Sequence, residues 1–565
     1  MKTLIDALAL AAEEREFGVR FVDRRQRATF ISWSEVVADA QSTAARLRAA
    51  GIKPGDRVAL IYPTCREFFS AFFGASWAGA IPVPLYPPVR LGRLEEYAEK
   101  TARMIQLSSA RLVLTDSRVR RLLGPTMAAA IPDLGCKTID DLSEGTPIAP
   151  HTAAASDLAF VQFSSGTTAS PKPVALTQEA VMLQASILLE ALLGAWPEEE
   201  HGPQSGLSWL PLYHDMGLIG CVFPCLLKRR DLTLLGPELF IAKPVTWLWA
   251  MSEYKATMST APNFAYGLCV HKIKDKDMQG VDLSSWHVAL NGAEPISLST
   301  MEAFSSRFSQ WGFKKTAITP VYGLSEASLA VTFSGLKTPA TTRNRPGTSD
   351  RPIVSVGHPL PGFQVEIRNG EGQDLPDLQE GKVWIKGPSL MKEYLDDPEA
   401  TNAVLVDGWL DTGDLGFMAE NELYVVGRSK EVLIIRGRNI APHEVENALE
   451  GLAGVRRGCV AAVGVRPEGS HSDELVLLVE QGADSVDEAA LVDACSKAVL
   501  EKAGIRCHQV ALLAPGTLPR TSSGKIRRVA AGQRFEAGTL TAAPEPGLIG
   551  IAGALVRSTL VMPRS

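Results

Sequence analysis

Short apolar runs alternate with longer segments of helical periodicity through most of the 565 residues. Residues 111–116, 157–163 and 287–292 are apolar runs that end in turn-forming residues, as buried parallel strands do. Between residues 32 and 51 the apolar spacing is close to 3.6 residues, and Gly51 provides a helix stop. This repeated succession of strands and helices predicts an α/β fold in which sheets and helices form layers.

The character of the sequence changes near residue 430. Beyond it, three short apolar runs alternate with one helical segment, and Pro442 stands near a helix start, where its missing N–H costs nothing. The pattern predicts a large N-terminal domain over residues 1–429 and a small α+β C-terminal domain over residues 430–535. Residues 536–565 have the composition of a linker-like tail, and no role is evident for them.

Composition excludes several classes of protein. The formal net charge is −6 and no basic run occurs, which argues against nucleic acid as a partner. Asp6 interrupts the apolar N-terminus, so we expect a surface helix there rather than a signal peptide, and no run reaches the roughly 18 apolar residues of a membrane span. Cys221 and Cys225 lie in an apolar run and are expected to be buried thiols rather than zinc ligands. These features predict a reducing, cytoplasmic location.

Residues 164–173 read SSGTTASPKP, a hydroxyl-rich loop between an apolar run and a helical segment. Small residues allow consecutive backbone N–H groups to curve around an anion, and Lys172 adds a positive charge. The loop is not a P-loop, because it contains one glycine and does not open directly into a helix. Taken alone, the stretch is equally compatible with a phosphate-binding loop and with an ordinary surface turn.

Ten further motifs follow one another along the chain. They are PVPLYPP (82–88), WLPLYHDMGLIG (209–220), STAPNFAY (259–266), NGAEP (291–295), VYGLSEASL (321–329), VGHPLPG (356–362), DTGD (411–414), GRSKE (427–431), IIRGRNIAPHEVE (434–446) and LPRTSSGKIRR (518–528). Together and in this order, they resemble the adenylate-forming superfamily, which includes acyl-CoA synthetases, nonribosomal peptide adenylation domains and luciferases. The closest likeness is to fatty acyl-AMP ligases.

The resemblance implies an enzyme that joins a fatty acid to AMP, using ATP and Mg²⁺, and then passes the acyl group to the phosphopantetheine thiol of an acyl carrier protein. Making the mixed anhydride brings two anions together, so such a catalyst must supply positive charge where they meet and must orient both substrates. The acyl chain needs an apolar lining, which the motifs at 209–220 and 259–266 are rich enough to provide. The oligomeric state expected is a monomer.

The resemblance also implies a role for each matched residue. For ATP these are Ser164, Ser165, Gly166, Thr167, Thr168 and Lys172 at the β- and γ-phosphates; Asn291, Gly292, Ala293, Glu294, Pro295, Tyr322 and Gly323 around the adenine; and Asp414 and Arg428 at the ribose. The residues implied in catalysis are Lys525, which would bridge the α-phosphate and the carboxylate, His214 near the acyl-phosphate centre, and Glu326 as the magnesium ligand. The acyl pocket is assigned to Met216, Gly217, Ile219, Asn263 and Phe264.

In this family the small domain rotates about a hinge, and the position that matches the hinge is Lys430. One orientation would bring Lys525 to the large domain for adenylation, and another would remove it and admit the thiol acceptor. A single cleft cannot hold the closing lysine and the incoming carrier arm together, which is the physical reason for such a motion.

Each assignment has a structural alternative when its residue is considered alone. Asp414 would also suit a tight turn, Lys525 a solvated loop, and His214 a structural hydrogen bond, while Glu326 could cap a helix and Tyr322 could belong to the core. For the resemblance to be misleading, all five structural alternatives would have to be true at the same time, since one sequence carries all the motifs in order.

Two departures from the family pattern leave alternatives open. Pro173 follows Lys172 where glycine is usual, and Ala169 stands where glycine is frequent, which motivates a catalytically degenerate nucleotide-binding protein as one alternative. Residues 335–352 match the position of an insertion that disfavours coenzyme A in fatty acyl-AMP ligases, but the segment is short and also fits an exposed loop. An acyl-CoA synthetase that uses free coenzyme A is therefore the other alternative.

Overall fold

A computed structural model of the chain describes residues 2–88, 94–164, 171–349, 352–435, 438–466, 473–482, 486–521 and 524–542. Strands and helices alternate along these residues as the apolar pattern predicts.

The strands are β1 (Gly18–Val22), β2 (Ala28–Ser32), β3 (Arg57–Ile61), β4 (Ile81–Leu85), β5 (Leu112–Thr115), β6 (Cys136–Lys137), β7 (Leu158–Phe163), β8 (Pro173–Thr177), β9 (Gly206–Ser208), β10 (Leu232–Leu235), β11 (Met258–Ala261), β12 (Val288–Asn291), β13 (Ile318–Gly323), β14 (Ala330–Phe333), β15 (Thr342–Asn344), β16 (Pro352–Pro359), β17 (Gln364–Arg368), β18 (Gly381–Lys386), β19 (Glu393–Tyr394), β20 (Leu405–Val406), β21 (Trp409–Ala419), β22 (Glu422–Arg428), β23 (Leu433–Ile435), β24 (Arg438–Ile440), β25 (Val455–Val465), β26 (Glu474–Gln481) and β27 (Gln509–Leu513).

The helices are α1 (Leu4–Ala11), α2 (Trp33–Ala49), α3 (Arg66–Trp77), α4 (Leu94–Leu107), α5 (Ser117–Arg120), α6 (Gly124–Ala130), α7 (Gln178–Ala195), α8 (Glu198–His201), α9 (Asp215–Gly217), α10 (Phe223–Lys228), α11 (Pro237–Ala242), α12 (Val245–Glu253), α13 (Asn263–Lys272), α14 (Leu298–Phe308), α15 (Pro398–Asn402), α16 (Pro442–Ala448), α17 (Glu488–Ala503) and α18 (Arg528–Glu536).

The chain up to residue 428 contains one large sheet. Its strands β13, β12, β11, β9, β10 and β1 are parallel neighbours, and antiparallel strands extend it on both sides. A second, four-stranded sheet in the order β4-β3-β5-β6 is wholly parallel. Helices pack on these sheets, which confirms the predicted α/β layers.

The helix predictions are confirmed where local signals are strong. Ser32 caps α2 by accepting a hydrogen bond from the Glu35 N–H, and the Glu35 carboxylate accepts in return from the Ser32 N–H. Near the N-terminus, Leu4 and Leu8 of α1 are fully buried. The amphipathic spacing there forms a helix that packs into the core.

The strand over residues 158–163 differs from its prediction. β7 pairs antiparallel with β8, in a small sheet of order β19-β8-β7, rather than lying in a parallel sheet. β7 ends at Phe163 and its antiparallel neighbour β8 begins at Pro173, so the two strands form a hairpin. The apolar run was consistent with either arrangement, because strands in both kinds of pairing can be buried on two faces.

The residues after 433 form their own sheet and cores. β25 pairs antiparallel with β26, which pairs parallel with β27. One apolar cluster lies between this sheet and the helices α16 and α17, and another lies beneath α18. Pro442 is the first residue of α16, as predicted. The domain boundary at residue 430 and the role of the tail remain predictions, and residues 543–565 lie outside the described part.

Among the described residues, α7 is the one helix whose length and apolar content would allow it to cross a membrane. Half of its 18 residues are buried within the protein. The helix packs on α10 and β8, as a core helix does.

Candidate active site

The base of the hydroxyl-rich loop is closed by reciprocal hydrogen bonds. The Ser164 N–H donates to the Lys172 carbonyl at 2.9 Å, and the Lys172 N–H donates to Ser164 Oγ at 3.2 Å. Pro173 is the first residue of β8, where a missing N–H is tolerated, and its carbonyl accepts from the Leu395 N–H at 2.8 Å. Ser165, Gly166, Thr167, Thr168 and Ala169 lie outside the described residues.

Tyr394 joins the loop to Glu326, although no sequence motif pointed to it. Its hydroxyl donates to Glu326 Oε1 at 2.8 Å, and the Lys172 ammonium lies 4.1 Å from the centre of its ring. Burial, followed by the charge of Glu326, raises the pKa of Tyr394 well above its ordinary value, so the hydroxyl stays protonated and donates. Lys172, the predicted phosphate-binding lysine, and Glu326, the predicted magnesium ligand, therefore both contact Tyr394.

Asp414 is held by residues from two different parts of the large sheet. It lies directly opposite Arg428 in the β21–β22 pair, and its Oδ1 is 2.9 Å from Arg428 Nε. The Tyr322 hydroxyl, from β13, donates to Asp414 Oδ2 at 2.6 Å. Burial raises the pKa of Asp414, while Arg428 and Tyr322 oppose that rise. The three residues predicted for the ribose and one face of the adenine are thus in contact.

The backbone of the turn after β12 lies very close to the neighbouring strand β13. A Cβ at Gly292 would lie 2.7 Å from Val321 Cγ2, so only glycine fits there, and Ala293 has a left-handed φ of 69°. Glu294 Oε1 accepts from the Phe264 N–H at 2.6 Å. This contact ties the turn to the start of α13.

The other residues predicted near this turn are packed against the same elements. A Cβ at Gly323 would lie 1.8 Å from the Leu329 carbonyl oxygen. Asn291 Nδ2 donates to Asn263 Oδ1 at 3.3 Å, and Pro295 follows Glu294 in the turn. Asn263, predicted for the acyl pocket, therefore supports the adenine-side turn through its side chain.

His214 is fixed by a neighbour that the motif analysis left without a role. Its Nδ1 lies 2.6 Å from Asp215 Oδ1, and the Ser325 hydroxyl donates to Asp215 Oδ2. Burial favours a higher pKa for Asp215, but the His214 charge and these hydrogen bonds outweigh it and bring the pKa to about 2. Asp215 is therefore ionised and orients the imidazole of His214.

Lys525 reaches this site from the C-terminal part of the chain. Thr521 and Lys525 close a tight turn through two hydrogen bonds, and Gly524 within it has a φ of 91°. The ammonium interacts electrostatically with the carboxylates of Glu294 and Asp215. Burial lowers the pKa of Lys525, and these carboxylates oppose the fall. The predicted catalytic lysine and His214 thus share one site.

The predicted hinge residue, Lys430, is exposed in a short 3₁₀ turn over residues 429–431. Its neighbours are anchored on opposite sides: Ser429 Oγ donates to the Gly413 carbonyl, and Glu431 pairs with Arg528 at 3.0 Å. The turn therefore lies between the large sheet and the C-terminal unit, where a hinge is expected.

An apolar cavity of about 70 Å³ lies between α7 and the parallel strands β9, β11 and β12. Leu192, Cys221 and Leu290 are among its lining residues. The five residues predicted for the acyl pocket are not in that lining: Met216 and Ile219 are buried in neighbouring core clusters, Gly217 backs onto the Pro211 carbonyl, and Asn263 and Phe264 begin α13. Leu290 directly precedes Asn291, so the cavity extends from the edge of the predicted nucleotide site.

Residues 10–395 match the family model described as AMP-binding enzyme. The chain is 32% identical to a putative acyl-CoA synthetase of Caulobacter vibrioides, over 95% of this chain and 96% of that protein. It is 31% identical to the medium-chain-fatty-acid–[acyl-carrier-protein] ligase JamA of Moorena producens, over 90% of each. A structure from a study of fatty acyl-adenylate ligases of E. coli and L. pneumophila superposes with a TM-score of 0.86 at 31% identity, covering 95% of this chain and 98% of that one.

Proposed function

Because the chain belongs to the AMP-binding enzyme family, we propose that it is a fatty acyl-AMP ligase. It would join a fatty acid to AMP, release pyrophosphate, and pass the acyl group to the phosphopantetheine thiol of an acyl carrier protein. The observation that carries the proposal is the contact of Asp414 with Arg428 and Tyr322, which separate motifs contribute. The Lys525 ammonium interacts electrostatically with this site through Asp414, Glu294 and Asp215.

In this proposal each group of residues holds one part of the substrates. The loop closed by Ser164 and Lys172 would bind the outer phosphates through backbone N–H groups and one ammonium. Asp414 would accept the ribose hydroxyls, and the turn at Gly292 would lie against the adenine. Positive charge from Lys525 would stabilise the charge that develops between the carboxylate and the α-phosphate.

Glu326 fits the role of magnesium ligand, because a carboxylate oxygen suits a hard cation. The hydrogen bond from Tyr394 to Oε1 fixes the carboxylate, and its other oxygen would bind the ion. A bound magnesium ion would offset the negative charge of the phosphates. Asp215 contacts His214 Nδ1 and would orient its imidazole toward the place where the acyl carboxylate and the α-phosphate meet.

The present arrangement corresponds to the adenylation orientation that we propose for the small domain. Contacts between the described residues of the two parts include Arg345 to Glu444 at 2.8 Å, Arg534 to Glu96 at 3.2 Å, and Thr300 to Glu450 at 3.3 Å. Thiol transfer would require these contacts to break as the small domain turns about Lys430.

The segment 335–352 supports a carrier protein, rather than free coenzyme A, as the acceptor. Arg345 within it is buried and forms two hydrogen bonds with Glu380 of the large domain and a third with Glu444 of α16. The strand β15 in this segment pairs with β16. A buried guanidinium that links the two domains would restrain the small one, as the family's insertion is expected to do.

The proposal includes a cytoplasmic monomer that needs neither nucleic acid nor a membrane as a partner. All eight cysteines are free thiols, in keeping with a reducing compartment. The fatty acid would occupy the apolar cavity beside α7.

Acyl-adenylate formation is the direct test. The purified enzyme is incubated with ATP, Mg²⁺ and free fatty acids from octanoic to hexadecanoic acid, and the products are identified by mass. We expect fatty acyl-AMP and pyrophosphate; ATP binding without any adenylate would instead support the degenerate nucleotide-binding alternative.

The acceptor is tested separately, with holo carrier protein and coenzyme A in parallel. We expect acyl-carrier product in excess of acyl-CoA, and we expect Arg345→Met to raise the share of acyl-CoA. Arg343→Met is the matched control, because Arg343 lies in the same segment but pairs with Glu420 of the large domain at 2.7 Å. Efficient acyl-CoA formation by the unmodified enzyme would favour the acyl-CoA synthetase alternative, to which the name of the Caulobacter relative also points.

A further inference from the structure

The apolar cavity ends at a buried glutamine with an unused acceptor. Gln204 lines the cavity and is 4% exposed. Its Nε2 donates to the Gly202 carbonyl at 2.9 Å, which fixes the orientation of the amide. Its Oε1 is buried and has no hydrogen-bond partner among the described residues. A buried acceptor without a donor is costly, so such an atom indicates a missing partner.

The surroundings of Gln204 hold this end of the cavity in place. The Gln204 N–H donates to Glu198 Oε1 at 3.1 Å, and the same carboxylate pairs with Arg230 at 2.8 Å and Lys228 at 3.3 Å. Both cations line the cavity and are engaged with Glu198. Burial favours a higher pKa for Glu198, but these cations and the Gln204 N–H outweigh it, so the carboxylate is ionised.

The other end of the cavity adjoins the predicted nucleotide site. Thr260 and Leu290 line it, and each directly precedes the last residue of its strand, Ala261 or Asn291. Next to Gln204, Ser205 accepts from the Thr257 N–H, which places it three residues before Thr260. At about 3.3 Å per residue, the cavity therefore extends about 10 Å along the sheet.

We propose that the acyl substrate carries a hydroxyl group near its distal end and donates it to Gln204 Oε1. This inference rests on the proposed function, because it concerns the acid that the ligase adenylates. The apolar lining between the two ends would bind the alkyl portion, and Gln204 would make the enzyme discriminate against the same chain without the hydroxyl. Sites built to bond a hydroxyl reject analogues that lack it, because their own polar group is then left unpaired.

A competition assay tests the proposal. Each hydroxylated acid, with its hydroxyl at the ω carbon, is mixed in equal amounts with the plain acid of the same length, from octanoic to hexadecanoic acid. The ratio of the two acyl-adenylates is measured by mass. We expect the hydroxylated product to exceed the plain one by about tenfold at the length that reaches Gln204, and the preference to fall away at other lengths.

Gln204→Met should reduce this ratio to about one, because methionine fills similar space without an acceptor. Gln178→Met is the control: Gln178 is a buried glutamine outside the cavity lining, and its Oε1 accepts from the Leu4 N–H, so the ratio should stay as in the unmodified enzyme. A ratio within one reaction does not depend on how much enzyme is folded. If Gln204→Met does not fold, the ratio in the unmodified enzyme decides.

Two outcomes overturn the inference alone: adenylates form with no preference for the hydroxylated acid at any length, or Gln204→Met keeps the preference. In the first case the partner of Gln204 is a water molecule. If no acid of either kind gives an adenylate, the proposed function fails first and this inference fails with it.

Discussion

Asp414 and Lys525 belong to the same site but are held in place in opposite ways. Asp414 lies inside the large sheet, opposite Arg428 on the next strand, with Tyr322 on its other oxygen. Lys525 lies in a short turn of the C-terminal unit, which reaches the site across a few polar contacts. Asp414 is therefore built into the sheet, whereas Lys525 would leave the site if the small domain turned as we propose.

Loss of the Lys525 ammonium should have the largest effect on activity. We expect Lys525→Ala to lower the rate of acyl-adenylate formation by about 10²- to 10³-fold, as removal of one group that stabilises transition-state charge does. ATP binding should remain close to normal, because the sheet side is untouched. Adenylate formation by mass and ATP binding by calorimetry measure the two effects.

Lys502→Ala is the control for this change, since Lys502 lies in the same unit and its ammonium donates to the Ala448 carbonyl. Its adenylation rate should match that of the unmodified enzyme. An unchanged rate in Lys525→Ala would remove Lys525 from the mechanism and with it the contrast with Asp414.

Asp414→Asn should weaken the binding of ATP. The amide keeps the shape but loses the charge that pairs with Arg428, and we expect ATP to bind about 10- to 100-fold more weakly. Asp411→Asn is the control in the same motif, because Asp411 accepts from the Gly413 N–H and shapes the turn. Equal losses in both variants would mean that the motif acts through its turn and that Asp414 has no special role.

The sequence predicted the parts of this site that depend on local pattern. The helix at 33–49 follows from apolar spacing and from the stop signal at Gly51. Tyr394 was missed because it contacts Glu326 from 68 residues away, and no local signal marks that contact. Arg345 was seen only as part of an exposed loop, since its partners Glu380 and Glu444 meet it only in the folded chain.

The cavity proposed for the fatty acid shows the same limit. The motifs at 209–220 and 259–266 contribute Gly220, Ser259 and Thr260 to the cavity lining, but α7 and Gln204 complete it from outside them. Apolar content indicated a lining nearby, but it could not show which face of each element turns toward the cavity.

The lysine should also give the reaction an alkaline limit. Burial lowers the pKa of Lys525 below 10.5, and adenylation needs the charged form, so kcat/KM should fall about tenfold per pH unit above that pKa. The unfolded chain would bind the proton more tightly, so between the two pKa values this group makes the folded state more stable as pH rises. Lys525→Arg should move the fall in kcat/KM to higher pH, because the guanidinium stays charged. If kcat/KM of Lys525→Arg falls at the same pH as that of the unmodified enzyme, the group that titrates is not Lys525.

Tyr394→Phe should have the smallest effect, because it removes one hydrogen bond and keeps the ring beneath Lys172. Loss of a bond to a charged oxygen costs about 1.5 kcal/mol, so we expect about tenfold more Mg²⁺ to be needed for half-maximal adenylation. ATP affinity in the absence of Mg²⁺ should be unchanged. Titration of the adenylation rate with Mg²⁺ measures the effect, and Tyr424→Phe is the control, since its hydroxyl donates to Glu422 in the same large sheet. An equal loss at all Mg²⁺ concentrations would show that Tyr394 supports the Lys172 loop rather than the carboxylate of Glu326.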